Sequence, residues 1–271
     1  MKLIRFKDEK HPERIINAVD CNDGTALPIA GSVFNAIEPM DEPIPFTPEN
    51  LIAPLNPTAI LAIGRNYEAH ATEQGKKPPE RPMLFMKNIS ATTGPFDDII
   101  IPKCCQKIDQ TDFEGELAIV IGKPARDVTA ENAFDYILGF TVANDVSARW
   151  WQKEAGGGQF CRGKSFDTFC PLGPAVITTD EIADPQSLNI EAKLNGETMQ
   201  ASNTRHMIFS VAQLVAFLSQ GTTLVPGTVI LTGTPSGVGF ARKPPVFLHD
   251  GDVVEVTVEK IGTLRNRVVA A

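Results

Sequence analysis

Acidic residues lead directly into a β-branched apolar segment at Asp112-Phe113-Glu114-Gly115-Glu116-Leu117-Ala118-Ile119-Val120-Ile121-Gly122. The apolar part predicts a buried strand, in which side chains two residues apart point to the same side of the sheet. Glu114 and Glu116 therefore share a face, and Asp112 is a candidate to join them. Two carboxylates about 4 Å apart repel each other by roughly 4 kcal/mol at an effective dielectric constant near 20. A cation or a shared proton at this face would offset that repulsion.

A second apolar segment also ends in an acid, at residues 138–145, Leu-Gly-Phe-Thr-Val-Ala-Asn-Asp. The two strand ends together predict a divalent-cation site formed by Glu114, Glu116 and Asp145. An all-carboxylate site suits a hard, oxygen-preferring cation such as Mg²⁺, and no His or Cys in the set suggests zinc. The alternative is an edge strand whose acids are simply solvated.

Length and composition indicate a globular chain with a full hydrophobic core. The chain has 271 residues, of which 42% are hydrophobic and 21% charged, as is ordinary for globular proteins. A net charge of −8 argues against binding to nucleic acid or to an anionic membrane surface. No apolar run approaches the ~20 residues needed to span a bilayer. The five scattered cysteines predict free thiols in a reducing compartment, either the cytoplasm or a mitochondrial matrix.

The order of the predicted elements indicates an α+β fold with a mixed or largely antiparallel sheet, because strands outnumber helices and do not alternate with them regularly. Residues 1–55 are predicted to form a small β-rich N-terminal module, followed by a main domain over 56–271. Asn66 is predicted to cap one helix, and Ser210 an amphipathic one. A further predicted helix, at 147–154, ends at the glycines 156–158.

His70 and Glu73 are three residues apart on the predicted helix that follows Asn66, so they share one helix face. A carboxylate that orients an imidazole and raises its basicity makes the pair a candidate general base. The alternative is an ordinary surface His–Glu pair. Arg65, just before this helix, is a candidate substrate-binding residue.

Several cations and amides follow the acids in the chain. Arg149 and Gln152 lie three residues apart after Asp145, Lys164 follows a glycine-containing segment, and Lys87 ends a predicted strand. Beside a bound cation these groups would hold an anionic substrate and stabilise an oxyanion. The alternative is that each of the cations is an ordinary charged residue on the protein surface.

A glycine-rich stretch follows the predicted strand at residues 228–231; it covers residues 232–239, Thr-Gly-Thr-Pro-Ser-Gly-Val-Gly. It matches neither of the glycine-rich nucleotide-binding patterns. It predicts a tight loop whose N–H groups and Thr234 hydroxyl face a substrate carboxylate. The alternative is a plain turn.

In their joint order, these motifs resemble the fumarylacetoacetate hydrolase family over roughly residues 58–270. The matching segments are Gly64-Arg65-Asn66-Tyr67, Pro82-Met83-Leu84-Phe85-Met86-Lys87, Phe113-Glu114-Gly115-Glu116-Leu117, Asn144-Asp145-Val146-Ser147-Ala148-Arg149, Gly163-Lys164-Ser165-Phe166-Asp167-Thr168 and Gly233-Thr234-Pro235. One departure is Trp150, because such proteins often carry Asp after the Ser-Ala-Arg triplet.

The resemblance implies a homodimeric enzyme with a mixed β-roll core and a site for Mg²⁺, with Mn²⁺ or Ca²⁺ as alternatives. The metal ligands of the family fall on Glu114, Glu116 and Asp145, and its base on His70 with Glu73. Its substrate-side groups fall on Arg149, Gln152, Lys164 and Lys87.

The implied substrate is a small anionic 2-oxo acid, and the first functional prediction is hydrolysis of a C–C bond in an acylpyruvate or other 2,4-dioxo acid. His70 would activate water, the metal would stabilise the enolate leaving group, and Lys164, Arg149 and Gln152 would stabilise the oxyanion. The alternative on the same site is an oxaloacetate tautomerase or decarboxylase, or an isomerase of unsaturated 2-oxo diacids. An inactive binding protein and a glycosidase are weaker predictions, because they leave most of the motifs unexplained.

Overall fold

The computed structural model of the chain describes residues 1–35, 37–155 and 157–271; Gly156, where a helix was predicted to end, lies outside this part. The strands, in chain order, are β1 (Lys2–Lys7), β2 (Ile15–Asp20), β3 (Thr25–Pro28), β4 (Ile44–Pro45), β5 (Ala59–Gly64), β6 (Met83–Lys87), β7 (Thr92–Thr93), β8 (Ile99–Ile101), β9 (Thr111–Asp112), β10 (Gly115–Ile121), β11 (Ile137–Asn144), β12 (Ser147–Ala148), β13 (Cys170–Thr178), β14 (Asn189–Leu194), β15 (Glu197–Asn203), β16 (Thr228–Leu231), β17 (Val253–Val258) and β18 (Gly262–Ala270).

Helices are few and short. The α-helices are α1 (Glu68–Glu73), α2 (Arg149–Lys153), α3 (Phe160–Lys164) and α4 (Val211–Ser219), with 3₁₀ turns including Ala130–Tyr136. The α+β prediction is confirmed. No helix within the described ranges is long and apolar enough to cross a membrane.

The largest sheet has the strand order β4-β3-β2-β1-β13-β11-β10-β16-β5-β6, with β7 paired to β13. It is mixed, because β10 runs antiparallel to both of its neighbours whereas β16 runs parallel to β5. A second sheet has the order β15-β14-β17-β18-β8.

Strand β10 is an inner strand of the large sheet, and each of its seven residues is buried. At Gly115 an added Cβ atom would lie 2.9 Å from Val256 Cγ1 and 3.3 Å from Ala192 Cβ. Those neighbours belong to β17 and β14, so the two sheets meet closely at the start of β10. The alternative prediction of a solvated edge strand is therefore wrong.

The first four strands continue the large sheet at one side. Strand β1 pairs antiparallel with β13, with Lys2 opposite Ile177 and Leu3 opposite Val176. Phe6 of β1 is buried and packs on Phe46, with ring centroids 5.3 Å apart. The N-terminal strands thus share a sheet with the predicted main domain.

Two helix predictions change in detail. The Asn66 side chain does not cap α1; its amide donates to Phe209 O and Thr232 O, and its oxygen accepts from Phe209 N. Only Arg149–Lys153 of the segment 147–154 is helical, because Ser147 and Ala148 pair with Asp112 and Thr111 as β12 and β9. The Ser210 cap of α4 is present as predicted.

Candidate active site

Three buried carboxylates converge where β10 and β11 meet. Glu114, Glu116 and Asp145 each place one oxygen within 4.8 Å of the other two, and all three are at most 6% exposed. The antiparallel register sets this arrangement, since Gly115 lies opposite Asn144 and Asp145 N donates to Glu114 O at 2.9 Å. Asp145 thereby comes next to the face that Glu114 and Glu116 share.

The crowding of negative charge is visible at Glu116. Burial, and then the nearby Asp145 and Glu114 carboxylates, raise the pKa of Glu116 well above its ordinary value. Gly233 N donates to Glu116 Oε2 at 2.6 Å, and this hydrogen bond lowers the pKa of Glu116 without cancelling the increase. The cluster therefore favours a bound positive charge, either a proton or a cation, at Glu116.

Lys164 lies between two of the acids. Its Nζ donates to Glu114 Oε2 at 2.9 Å, to Asp145 Oδ2 at 2.6 Å and to Ser147 Oγ at 2.7 Å. Burial works against its charge, but Asp145 and Glu114 outweigh it and raise the pKa of Lys164. Burial likewise works to raise the pKa of Glu114, yet Lys164 and Arg149 lower it overall. The Lys164 ammonium and the Glu114 carboxylate are thus held in their charged forms.

A close approach of two helices brings Lys164 to this position. An added Cβ atom at Gly163 would lie 2.5 Å from Gln152 N and 2.8 Å from Ala148 O. Only glycine fits at that distance, so α3 can pack directly against α2. Lys164, the last residue of α3, then reaches across to the acids.

Arg149 is bound by acids at two points. Its Nε and Nη2 donate to Asp112 Oδ2 at 2.9 and 2.7 Å, and Nη2 also lies 2.7 Å from Glu114 Oε1. Its Nη1 donates to Gln152 Oε1 at 3.0 Å. Despite the burial, Asp112 and Glu114 raise the pKa of Arg149. Asp112 therefore does not join the acid cluster; it orients the arginine.

His70 lies on α1 with both ring nitrogens engaged. Nδ1 is 2.5 Å from Glu73 Oε1, and Nε2 is 2.7 Å from Gln74 Nε2. With the Gln74 amide nitrogen as donor, Nε2 accepts and Nδ1 carries the proton that points at Glu73. The second Glu73 oxygen accepts from Gly237 N at 2.8 Å. The pair is not a surface pair, because His70 is buried.

The glycine-rich loop at 232–239 holds acids of the protein itself. Its N–H groups at Gly233, Gly237 and Gly239 donate to Glu116, Glu73 and Asp112, respectively. The prediction that such N–H groups face a substrate is therefore wrong for these three. The Thr234 hydroxyl is also engaged, since it donates to Gly115 O and accepts from Gln200 Nε2.

One cavity joins most of these groups. Seven of the predicted site residues line it: Arg65, His70, Glu114, Arg149, Gln152, Lys164 and Thr234. The other four lie behind its wall, with Glu73 against His70 and with Lys87, Glu116 and Asp145 in the acid cluster. Lys87 donates to Asp145 Oδ1 at 2.5 Å and to Val146 O at 3.2 Å. The structure thus places Lys87 against a predicted metal ligand and not against the cavity.

Sequence reasoning gave no role to three residues that shape the cavity. Gln74 contacts the His70 ring, Phe240 lies under the Arg149 guanidinium, and Lys153 lines the wall beside them. Spacing alone could have suggested Gln74 and Lys153, which lie four residues after His70 and Arg149 on the same helix faces. Nothing in the sequence indicates Phe240.

The residues at the acid cluster fit a hard divalent cation. The donor set is entirely carboxylate oxygen, and a cation would relieve the repulsion that raises the pKa of Glu116. Near these acids, two buried polar groups, the Tyr67 hydroxyl and Asn144 Nδ2, lack a protein partner in the described part of the chain. The site therefore has the charge, the ligand type and the unused polar groups that a hydrated cation would take up.

Comparison with known proteins identifies the family. The model of the fumarylacetoacetate (FAA) hydrolase C-terminal domain matches residues 59–269. The chain belongs to the fumarylacetoacetate hydrolase family. A relative in Bos taurus, named oxaloacetate tautomerase FAHD2A, mitochondrial, is 48% identical over 227 residues, which cover 83% of this chain and 71% of the relative.

Two solved structures share the fold over the whole chain. The fumarylacetoacetate hydrolase of Exiguobacterium antarcticum has 38% identity and a TM-score of 0.88, with full coverage of both chains. A structure described as 5-carboxymethyl-2-hydroxymuconate delta-isomerase, from Mycobacterium smegmatis, has 38% identity and a TM-score of 0.85, again with full coverage. Hydrolase and isomerase names thus both occur among similar structures, whereas the Bos taurus relative is named a tautomerase. The first functional prediction, an acylpyruvate hydrolase, is not confirmed, and the alternative agrees better with these names.

Proposed function

We propose that this protein is a divalent-metal-dependent isomerase of small 2-oxo diacids, with oxaloacetate keto–enol tautomerisation as its reaction. The observation that carries the proposal is one cavity lined by both His70 and the Glu114–Lys164 pair, with the acid cluster behind it. A proton acceptor and a positively charged oxygen-binding region thus face the same space. The name of the Bos taurus relative supports the choice of substrate.

Tautomerisation moves one proton between the enol oxygen at C2 and the carbon at C3. His70 Nε2 takes the proton and returns it, after Gln74 has released that nitrogen. Glu73 holds the Nδ1 proton and stabilises the imidazolium that forms. The three N–H groups of Lys164 are already donated to Glu114, Asp145 and Ser147, so Lys164 stabilises the negative charge that develops at the C2 oxygen through its own positive charge and not as a free donor.

Glu114, Glu116 and Asp145 would hold Mg²⁺, with Mn²⁺ or Ca²⁺ as alternatives. When bound, the ion would supply Lewis-acid stabilisation of negative charge at the 2-oxo end of the substrate. Lys87 and Lys164 keep Asp145 oriented for this task.

The contacts of Arg149 favour an isomerase over a hydrolase. Hydrolysis of a remote carbonyl requires free donors for a tetrahedral oxyanion. Arg149 has five N–H donors, and four contacts with Asp112, Glu114 and Gln152 leave only one of them free. Three N–H groups of the loop 232–239 are likewise committed to carboxylates. A proton shuttle needs none of these donors.

A substrate panel tests the proposal. Parent protein with Mg²⁺ is mixed with enol-oxaloacetate and, separately, with an acylpyruvate, and enol loss, CO2 release and C–C cleavage are followed. We expect rapid loss of the enol without cleavage or CO2, and a fall in kcat of about 10²–10⁴-fold in His70→Ala. His206→Ala is the matched control, since His206 is exposed and outside the cavity. If the protein cleaves the acylpyruvate and does not accelerate loss of the enol, the tautomerase proposal is wrong and the protein is a hydrolase.

Two further proposals concern the setting of the enzyme. We infer a mitochondrial location from the name of the relative, with the cytoplasm as the alternative, and fractionation of cells that produce the protein tests it. The homodimer implied by the family resemblance is also proposed, and light scattering on the purified chain tests it.

A further inference from the structure

The charges that line the cavity do not cancel. Glu114 contacts both Lys164 and Arg149, and Arg149 is further paired with Asp112. Two other cations, Arg65 and Lys153, line the same cavity, and the Arg and Lys ion pairs of the cavity in the described part of the chain involve only Arg149 and Lys164. The residues that line the cavity therefore carry more positive than negative charge.

Lys153 is held in place by an aromatic ring instead of an acid. Its Nζ lies 3.7 Å from the ring centroid of Phe240, whose ring is also 4.3 Å from the Arg149 guanidinium carbon. Lys153 is largely exposed, but partial burial of its side chain, and then Arg149, lower its pKa. Glu154, Asp112 and Glu114 raise the pKa of Lys153 but do not outweigh these two effects, and a bound carboxylate would act in the same direction as the three acids.

The position of Lys153 along α2 suits the far end of a short substrate. Arg149 and Lys153 are four residues apart, so their side chains leave the same helix face about 5–6 Å from each other. Arg149 reaches Glu114 at the acid cluster. Lys153 lies one helical turn further on, a distance on the scale that separates the two carboxylates of a four-carbon diacid.

We infer that Lys153, positioned by Phe240, binds the second carboxylate of the substrate and makes the site selective for diacids over monoacids. This inference rests on the proposed function, since it names the group that recognises the far end of the same substrate. The near end of the substrate lies at the acid cluster, where Lys164 and the predicted metal ligands converge. Lys153 is thus a specificity-determining residue and takes no part in proton transfer.

A binding measurement tests this assignment without turnover. Malate and lactate are unreactive 2-hydroxy acids that differ in the presence of a second carboxylate. Their dissociation constants are measured by calorimetry, with Mg²⁺ present, for parent, Lys153→Met and Lys153→Arg. We expect Lys153→Met to weaken malate binding at least about tenfold, the effect of losing one charge-assisted hydrogen bond. Lactate binding should change by less than about twofold, and Lys153→Arg should retain most of the preference for malate.

Lys123→Met is the matched control, because Lys123 is exposed and remote from the cavity lining. Equal weakening of malate and lactate in Lys153→Met, or no change in either, would overturn the inference. The tautomerase assay is run on the same samples. If the parent leaves enol-oxaloacetate unchanged but Lys153→Met still weakens the binding of malate and not that of lactate, the proposed reaction fails and the role of Lys153 stands.

Discussion

Glu116 shows how the acid cluster constrains its ligand. Its pKa is raised by burial and by two neighbouring carboxylates, so its negative charge is unfavourable until a cation arrives. We therefore expect Glu116→Gln to leave the metal-free protein at least as stable as the parent. The same change should remove most of the stabilisation by Mg²⁺, which is about 2.7 kcal/mol for a one-site ligand at 100 times its Kd. Thermal unfolding with and without Mg²⁺ measures both effects.

The control for this test is Glu131→Gln, which removes an acid from an exposed 3₁₀ turn. It should leave the Mg²⁺-dependent shift in Tm unchanged. A full shift in Glu116→Gln would show that the cation binds elsewhere.

Asp112 organises the site without lining the cavity. One carboxylate binds the Arg149 guanidinium and the N–H groups of Gly239 and Phe240. Asp112→Ala would leave a buried guanidinium without its main partner, which costs about 3–5 kcal/mol. We expect that loss in the free energy of unfolding in urea. Asp109→Ala, which removes an exposed pair with His249, should cost under about 1 kcal/mol; similar losses in both variants would contradict the assigned role of Asp112.

At the scale of elements, the loop 232–239 fixes the acids from one side. Gly237 has φ +106°, and an added Cβ atom would lie 2.1 Å from Met199 O. Gly251 has φ +89° and open space around it. An alanine at this position would therefore have backbone strain without steric overlap, which makes it the control for Gly237. We expect Gly251→Ala to cost about 1–2 kcal/mol and Gly237→Ala clearly more. Gly237→Ala should also lower kcat, because Gly237 N orients Glu73. Urea unfolding and the tautomerase assay measure these effects. Equal losses of stability in Gly237→Ala and Gly251→Ala would contradict the close contact between residue 237 and Met199 O.

The same loop marks the limit of what the sequence predicts. Strand β10 and its paired acids follow from local alternation, and the acid at the end of β11 follows from a second local pattern. By contrast, the partners of Gly233, Gly237 and Gly239 lie more than 100 residues away in the chain. Asn66 shows the same effect, since long-range contacts with Phe209 and Thr232 replace the predicted helix cap. Local patterns place the acids on their strands, whereas the fold alone decides which N–H groups bind them.

At the scale of the whole molecule, the first four strands are part of the large sheet and are not connected to the rest of the chain by a linker alone. Strand β1 supplies the antiparallel neighbour of β13, and its Leu3, Ile4 and Phe6 are each at most 2% exposed. Arg5 Nη1 also donates to Ala53 O and to Asn56 Oδ1. Removal of these strands would expose both the β13 edge and the apolar side of the large sheet.

The predicted boundary between the N-terminal module and the main domain, at residue 55, can be tested on the fragment 56–271. We expect this fragment to unfold or aggregate, since burial of one large apolar side chain alone contributes about 1.5–3 kcal/mol and several are lost together. Circular dichroism, light scattering and thermal unfolding of the fragment and the full chain measure this. As a control, Ile15→Ala in the full chain replaces a half-exposed residue of β2 and should change Tm little. A fragment that unfolds cooperatively at the Tm of the full chain would instead show that residues 1–55 are a separate module.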